Sequence, residues 1–110
     1  MSLANGTAPD QTAPPPAPAA DLSIVIVSWN TRDLTVRCLD ALAAATRGLR
    51  VEVLVVDNGS TDGTPGALRA RHPGATLIEP GRNLGFSGGN NAGMARATGR
   101  YLCLLNPDTE

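Results

Sequence analysis

Polar side chains that could bind a ligand follow three apolar runs of this 110-residue sequence, each directly at the end of its run. The first run ends in Ser28-Trp29-Asn30, the second in Asp57-Asn58 and the third in Asn106-Pro107-Asp108. A carboxylate at such a place can accept a hydrogen bond from a ring N–H or a sugar hydroxyl. An Asn and an Asp offer oxygen ligands to Mg²⁺ or Mn²⁺, but so few ligands hold an ion only together with a phosphate-bearing molecule.

Each of these points also has a purely structural explanation. Asp57-Asn58-Gly59-Ser60 is a favourable turn sequence, and Pro107 can end a strand because it donates no ladder hydrogen bond. Arg82 precedes the glycine-rich segment Gly85–Gly93 and could either reach a phosphate or be solvated. That segment could be a helix start that lies close to a ligand, with its free N–H groups facing an anion. Close packing of a helix on the sheet through Ala92 and Gly93 is the structural explanation. The residues alone leave both interpretations open.

Composition excludes several classes of function. The chain has nine arginines, no lysine, ten acidic residues and a net charge of −1. Such weak, scattered charge is unsuited to gripping nucleic acid. Without lysine there is no P-loop, Schiff-base or kinase-type lysine. The first strand-to-helix turn, Ser28–Thr31, lacks glycine, which argues against a dinucleotide cofactor.

The elements that must position these side chains alternate between strand and helix. Strands are predicted over residues 22–28, 51–56, 75–79 and 101–105, with three helices between them; Thr64 is the expected N-cap of the second, and the third ends near Thr98. Runs of β-branched residues without polar alternation are typical of parallel strands covered on both faces. Since crossovers are right-handed and the fourth strand is expected beside the first, the predicted order is 3-2-1-4. Ligands bind such sheets at the carboxyl ends of the strands.

The first 21 residues differ in composition from the rest and hold five of the nine prolines. Their bulky apolar side chains are too few to offset the entropy of ordering. We expect a disordered Pro/Ala-rich leader over residues 1–21 and one folded unit over residues 22–110. The leader lacks the features of a secretion signal, and no apolar stretch approaches the roughly 20 residues of a membrane helix. With Cys38 and Cys103 expected as buried reduced thiols, the expected location is the cytoplasm or the cytoplasmic face of the membrane.

Four segments together resemble the N-terminal half of the family 2 glycosyltransferases with the GT-A fold: SIVIVSWN, VEVLVVDNGSTDGT, GRNLGFSGGNNAG and YLCLLNPD. They occur in the family's order between Leu22 and Glu110, and the last two are most similar to the rhamnosyltransferase-type branch. The resemblance implies an α/β domain of the nucleotide-diphospho-sugar transferase type. It also implies transfer of a sugar from a UDP- or dTDP-linked donor to an acceptor hydroxyl of a glycan or lipid-linked acceptor, with inversion at the anomeric carbon.

The resemblance further implies roles for the candidate residues. Asp57 would accept the N3–H of uracil or thymine. Asp108 would bind the Mg²⁺ or Mn²⁺ ion that bridges the diphosphate, because Asn106-Pro107-Asp108 stands where the family has its D-x-D motif. Asn106 replaces the first Asp of that motif, which weakens the implied metal requirement. The implied nucleotide-binding residues are Ser28, Trp29, Asn30, Asp57, Asn58, Arg82 and Asn106.

The resemblance covers the donor-binding half only. The family's general base and acceptor site lie beyond the position of Glu110, so the catalytic base is unknown and we expect a truncated, inactive half. Two helices on one sheet face and one on the other should leave an apolar patch bare on the first and fourth strands. We therefore expect marginal stability with self-association, and contact with a membrane only through the absent part.

A non-catalytic nucleotide-diphosphate-binding or assembly module is the alternative function. It would use the same pocket without transferring a sugar. A reading frame that continues past Glu110 into a further sheet with a carboxylate favours the enzyme, and a stop codon there favours the module. A sugar nucleotidyltransferase would need a glycine-rich, basic first turn, which Ser28–Thr31 does not supply.

Overall fold

A computed structural model describes residues 20–107, in which strands and helices alternate. The strands are β1 (Ala20–Ser28), β2 (Val51–Asp57), β3 (Thr76–Ile78) and β4 (Gly99–Leu105), and the helices are α1 (Arg32–Ala45), α2 (Thr64–Arg71) and α3 (Gly85–Arg96). All neighbouring strands are parallel, and their order β3-β2-β1-β4 confirms the predicted topology. β1 begins two residues before the predicted boundary. The rest of the predicted leader, and Asp108, lie outside the described residues.

The β1 strand lies at the centre of the packing because its side chains are apolar on both faces. On one face, Ile24 and Ile26 pack with Val55 of β2 against Leu39 of α1 and Leu68 of α2. All five are almost fully buried. This layer is the main core, and it holds the carboxyl ends of β1 and β2 side by side in parallel register.

The other face of β1 contacts the backbone of α3 through glycines. A Cβ atom added to Gly89 would lie 2.8 Å from Cγ1 of Val27, and one added to Gly93 would overlap the side chain of Val25. Neither glycine has room for a side chain, so α3 lies closer to the sheet than an ordinary helix does. The expectation that Gly93 serves close helix-on-sheet packing is confirmed.

Two element boundaries differ from the prediction. The N-cap of α2 is Gly63, at φ 85°, and not Thr64; the carboxylate of Asp62 accepts hydrogen bonds from the backbone N and the hydroxyl of Thr64. The third helix ends at Arg96, and Gly99 already belongs to β4. Gly99 is at this position because a Cβ atom there would lie 2.5 Å from the backbone nitrogen of Ser23.

A polar cluster at the amino ends of the strands fastens β4 to the rest of the sheet. Oε1 of Glu52 accepts hydrogen bonds from the Ser23 hydroxyl at 2.7 Å and from the backbone N of Thr98 at 2.8 Å. The Ser23 hydroxyl in turn accepts from the backbone N of Gly99 at 2.7 Å. Burial raises the pKa of Glu52, but the hydrogen bonds from Ser23 and Thr98 outweigh it and hold this pKa below its ordinary value.

Of the two strands expected to share an uncovered apolar patch, only β4 exposes large apolar side chains, which corrects the expectation for β1. Val25 and Ile26 of β1 are fully buried, whereas Tyr101, Leu102 and Leu104 are 68%, 46% and 47% exposed. α1 and α2 cover one face of β1 and α3 covers the other, while β4 lies at the edge of the sheet formed by residues 20–107.

The cysteines correct a second expectation. Both are free thiols, but only Cys38 is partly buried, and Cys103 is exposed on β4. The reason is the same uncovered edge strand. Over the described span of the chain, no helix has the length and apolar character needed to cross a membrane.

Candidate functional site

The loops that follow β1 and β2 are hydrogen-bonded to each other at the carboxyl edge of the sheet. The backbone N of Asn30 donates to the Ser60 hydroxyl, and the backbone N of Thr61 donates to Oδ1 of Asn30, both at 2.8 Å. Asn30 has a φ of 52°, a left-handed conformation that Asn adopts more readily than most residues. The two loops therefore form one connected rim.

Asp57 ends β2 beneath this rim and is only 3% exposed. Its Oδ1 accepts from the Ser60 hydroxyl at 2.6 Å and its Oδ2 from the Ser60 backbone N at 3.1 Å. The turn chemistry expected of this segment is therefore present. Each carboxylate oxygen has two acceptor sites, so these bonds leave acceptor capacity on the same side chain. Asp57 can hold the turn and still accept one N–H from a ligand.

Ser28 and Trp29 lie at the end of β1 but differ in exposure. Ser28 is fully buried, and its hydroxyl oxygen is 3.1 Å from Oγ1 of Thr31 and 3.0 Å from Oγ1 of Thr35. Its carbonyl oxygen accepts from the backbone N of Asn58 at 2.8 Å. Trp29 is 54% exposed. Ser28 therefore supports the site from below, whereas the indole of Trp29 is accessible from solvent.

A contact between Arg32 and Asp62, which the sequence did not predict, also joins the loop after β1 to the loop after β2. The backbone N of Arg32 donates to Oδ2 of Asp62 at 3.0 Å, and Nη1 of Arg32 donates to the carbonyl oxygen of Asp62 at 3.1 Å. The hydrogen bond from the Thr64 hydroxyl, which outweighs burial, holds the pKa of Asp62 below its ordinary value. The signal in the sequence was Asp62 two residues before Thr64-Pro65, a pattern of helix starts.

The side chain of Asn58 holds the loop between β3 and α3 at the same edge of the sheet. Its Nδ2 donates to the carbonyl oxygen of Gly85 at 3.0 Å, and its Oδ1 accepts from the backbone N of Leu84 at 3.3 Å. Gly59, at φ 84°, lies against the backbone of Arg82, 3.6 Å from the position that a Cβ would take. The backbone of Arg82 therefore lies next to the loop after β2, and the side chain of Arg82 is exposed.

The structure brings most of the predicted site residues to one edge of the sheet. The fourth strand also ends there, since Leu105 pairs with Ile26, and exposed Asn106 follows it. Asp108 lies outside the described residues. Within residues 20–107, no group of three or more His, Cys, Asp or Glu side chains could hold a metal ion. The described residues at this edge offer hydrogen-bonding groups.

Comparison with known proteins gives the family. Residues 23–110 match the family "Glycosyl transferase family 2". The succinoglycan biosynthesis protein ExoO of Rhizobium meliloti is 39% identical over 89 residues, which are 80% of this chain and 25% of that protein. An N-acetylglucosaminyl-diphospho-decaprenol L-rhamnosyltransferase of Mycobacterium tuberculosis is 40% identical over 75 residues, 68% of this chain and 24% of that enzyme. The chain thus spans about a quarter of the length of these curated relatives.

Solved structures of glycosyltransferases are also similar to this chain. A mannosyltransferase from Pyrobaculum calidifontis, in complex with GDP-Man and Mn²⁺, superposes with a TM-score of 0.70 at 30% identity, covering 84% of this chain and 30% of that one. Glucosyl-3-phosphoglycerate synthase from Mycobacterium tuberculosis, with Mn²⁺, UDP and glucosyl-3-phosphoglycerate, has a TM-score of 0.68 over 81% of this chain and 34% of that one; at 24% identity it shows the fold alone. The chain belongs to glycosyl transferase family 2 and has the parallel sheet of the GT-A glycosyltransferases.

Proposed function

We propose that this chain is the donor-binding half of an inverting glycosyltransferase that uses a UDP- or dTDP-linked sugar and a glycan or lipid-linked acceptor hydroxyl. The observation that carries the proposal is Asp57, a carboxylate buried where the loops after β1, β2 and β3 converge. Membership of the family supports sugar transfer. The name of one relative, N-acetylglucosaminyl-diphospho-decaprenol L-rhamnosyltransferase, supports a lipid-linked acceptor, and a neighbour of the same fold has been solved with UDP.

Asp57 would determine which nucleotide base the site binds. Its remaining acceptor capacity suits the N3–H of uracil or thymine, and cytosine has no such hydrogen. Trp29 would lie along the base with its accessible ring, and Asn30 would hold the loop above it. Ser28 and Asn58 would act through their hydrogen bonds to the neighbouring loops.

The diphosphate would lie towards the end of β4. Arg82 would place a positive charge near it, and Asn106 would offer amide hydrogen bonds. Asp108, together with the diphosphate oxygens, would hold a Mg²⁺ or Mn²⁺ ion, which offsets negative charge on a departing nucleoside diphosphate. Relatives of the same fold have been solved with Mn²⁺.

Calorimetric titration of the chain with UDP, dTDP, CDP and GDP, with and without Mn²⁺, tests this function. We expect UDP and dTDP to bind and CDP to bind at least about tenfold more weakly, since one hydrogen bond to a carboxylate is lost. Asp57→Ala should abolish binding, and Asp108→Ala should remove only the metal-dependent part. Asp33→Ala, which removes a carboxylate that is 77% exposed on α1, is the control.

Two results would contradict the proposal. Equal affinities for UDP and CDP would remove Asp57 from base recognition. Binding of none of the nucleotides would remove the donor site altogether. GDP is included because the mannosyltransferase neighbour holds GDP-Man, and guanine also carries a ring N–H that a carboxylate can accept.

A further inference from the structure

The start of α3 is held rigidly against the candidate site. Asn58 binds the backbone on both sides of the Leu84–Gly85 peptide, and Oδ1 of Asn83 accepts from the backbone N of Gly85 at 2.7 Å. One turn later, Gly89 touches the ends of both central strands: its missing Cβ would lie 2.8 Å from Val27 and 3.2 Å from Nδ2 of Asn58. The residue that follows Gly89 is therefore fixed next to the carboxyl edge of the sheet.

That residue is Asn90, and its side chain is buried with no partner among the residues that the structure describes. It is 6% exposed, and within residues 20–107 its carboxamide makes no hydrogen bond. The large majority of buried side-chain polar atoms in proteins have a hydrogen-bond partner, and leaving a buried polar group without one costs stability. The other buried polar side chains around the carboxyl edge all have partners, namely Ser28, Thr35, Asp57, Asn58 and Thr64. Asn90 is the exception among them.

A side chain that binds a ligand is held in place by the fold and has unused hydrogen-bonding capacity in the free protein. The amide of Asn90 has both properties beside the candidate site. A buried amide without a partner lowers the stability of the free protein, and this lost free energy is regained when a ligand supplies the partner. An amide offers two N–H donors and one acceptor oxygen. It matches ligand oxygens, such as those of a diphosphate or of sugar hydroxyl groups.

We infer that Asn90 is a donor-binding residue that hydrogen-bonds an oxygen of the diphosphate–sugar part of the nucleotide-sugar. The inference rests on the proposed function and extends it to α3, a helix whose glycine-rich sequence leaves packing and ligand binding both open. Asp57 would then recognise the base from β2, while Asn90 holds the other end of the donor from α3.

The test exchanges Asn90 for a side chain of similar size without polar atoms, in the full 110-residue chain. Asn90→Leu removes the unpaired amide, so the melting temperature should rise while the affinity for UDP or UDP-glucose falls about five- to thirtyfold, as expected for one lost hydrogen bond. Asn91→Leu is the control, because Asn91 is the exposed neighbour on the same helix and reports the gain in helix propensity alone. Asn90→Ala, which cannot obstruct a ligand, should lower the affinity too.

The probes uridine, UMP, UDP and UDP-glucose locate the contact. An affinity loss that begins with UDP places it at the diphosphate, and a loss seen only with UDP-glucose places it at the sugar; both support the inference. An equal loss for all four probes, including uridine, overturns it.

Two further outcomes separate this inference from the function on which it rests. If the wild type binds UDP and both Asn90 variants bind it equally well, Asn90 does not contact the donor although the function stands. If Asn90→Leu is less stable than Asn91→Leu, the amide has a structural role and the inference fails. If the wild type binds none of the probes, the proposed function fails, and the inference with it.

Discussion

The side-chain Nδ2 of Asn58 donates to the carbonyl oxygen of Gly85 at 3.0 Å, which joins the end of β2 to the first residue of α3. The other end of the same amide accepts from the backbone N of Leu84, the N-cap residue of α3. Asn58 is 3% exposed, so water does not compete for these bonds. One buried amide therefore sets where the β3–α3 loop lies relative to the candidate site.

Replacing Asn58 by Asp should loosen that loop. The carboxylate can still accept from the backbone N of Leu84. Its second oxygen, however, replaces the donor Nδ2 and faces the carbonyl oxygen of Gly85, so that hydrogen bond is lost and two acceptors repel each other. We expect a loss of about 1–3 kcal/mol in the free energy of unfolding. Amide hydrogen exchange over residues 82–88 should also become faster. Asn91→Asp, at an exposed position of α3, is the control. Unchanged exchange in this segment would show that the amide does not hold the loop.

The contact between α3 and β1 predicts opposite effects for two Gly→Ala substitutions. Gly93→Ala should lower the free energy of unfolding by about 1–3 kcal/mol, because the new methyl group overlaps the stiff side chain of Val25 and α3 must move. Gly66→Ala in α2 meets no atom within 4 Å and should raise it by up to about 1 kcal/mol through helix propensity. Urea unfolding measures both. Equal effects would mean that α3 does not pack this closely.

The cluster around Glu52 predicts a dependence of stability on pH. The pKa of Glu52 lies below its ordinary value of 4.5 in the folded chain, so its stabilising contribution is present above pH 4.5 and is lost as the pH falls through the folded value. Glu52→Gln should be about 1 kcal/mol less stable at pH 7, and the difference from the wild type should shrink in acid.

Thermal unfolding from pH 7 down to pH 3 measures this effect. Asp33→Asn, which changes an exposed carboxylate on α1, provides the matched control. A stability difference between wild type and Glu52→Gln that does not change across this range would show that the charge of Glu52 does not act through these hydrogen bonds.

The exposed side chains of β4 predict self-association. Edge strands with apolar, uncharged faces pair readily with other chains. Replacing Leu102 and Leu104 together by Thr should lower the binding of the dye ANS and shift sedimentation towards the monomer, since Thr keeps β propensity but is polar. Leu49→Thr, at a residue 58% exposed outside the strands, is the control. An unchanged oligomeric state in the double variant would exclude β4 as the cause.

The elements and their order followed from local patterns. The apolar runs of β1 and β2 indicated buried parallel strands, and Gly85–Gly93 indicated a closely packed helix, because such patterns depend on which side chains can be buried. The ends of elements were less accurate: Gly63 rather than Thr64 caps α2, since the αL conformation at Gly63 and the carboxylate of Asp62 together satisfy the helix start.

The sequence alone determined the family, the strand order and the side chains that follow each strand, because hydrophobic periodicity and short motifs are properties of neighbouring residues. Only the tertiary structure decided what each of those side chains does. Asp57 holds a turn and keeps acceptor capacity, Asn58 fastens α3, and Asn90 is buried with no partner among residues 20–107. These properties depend on atoms from elements that are distant in the chain, and they arise only when the sheet brings the three loops to one edge.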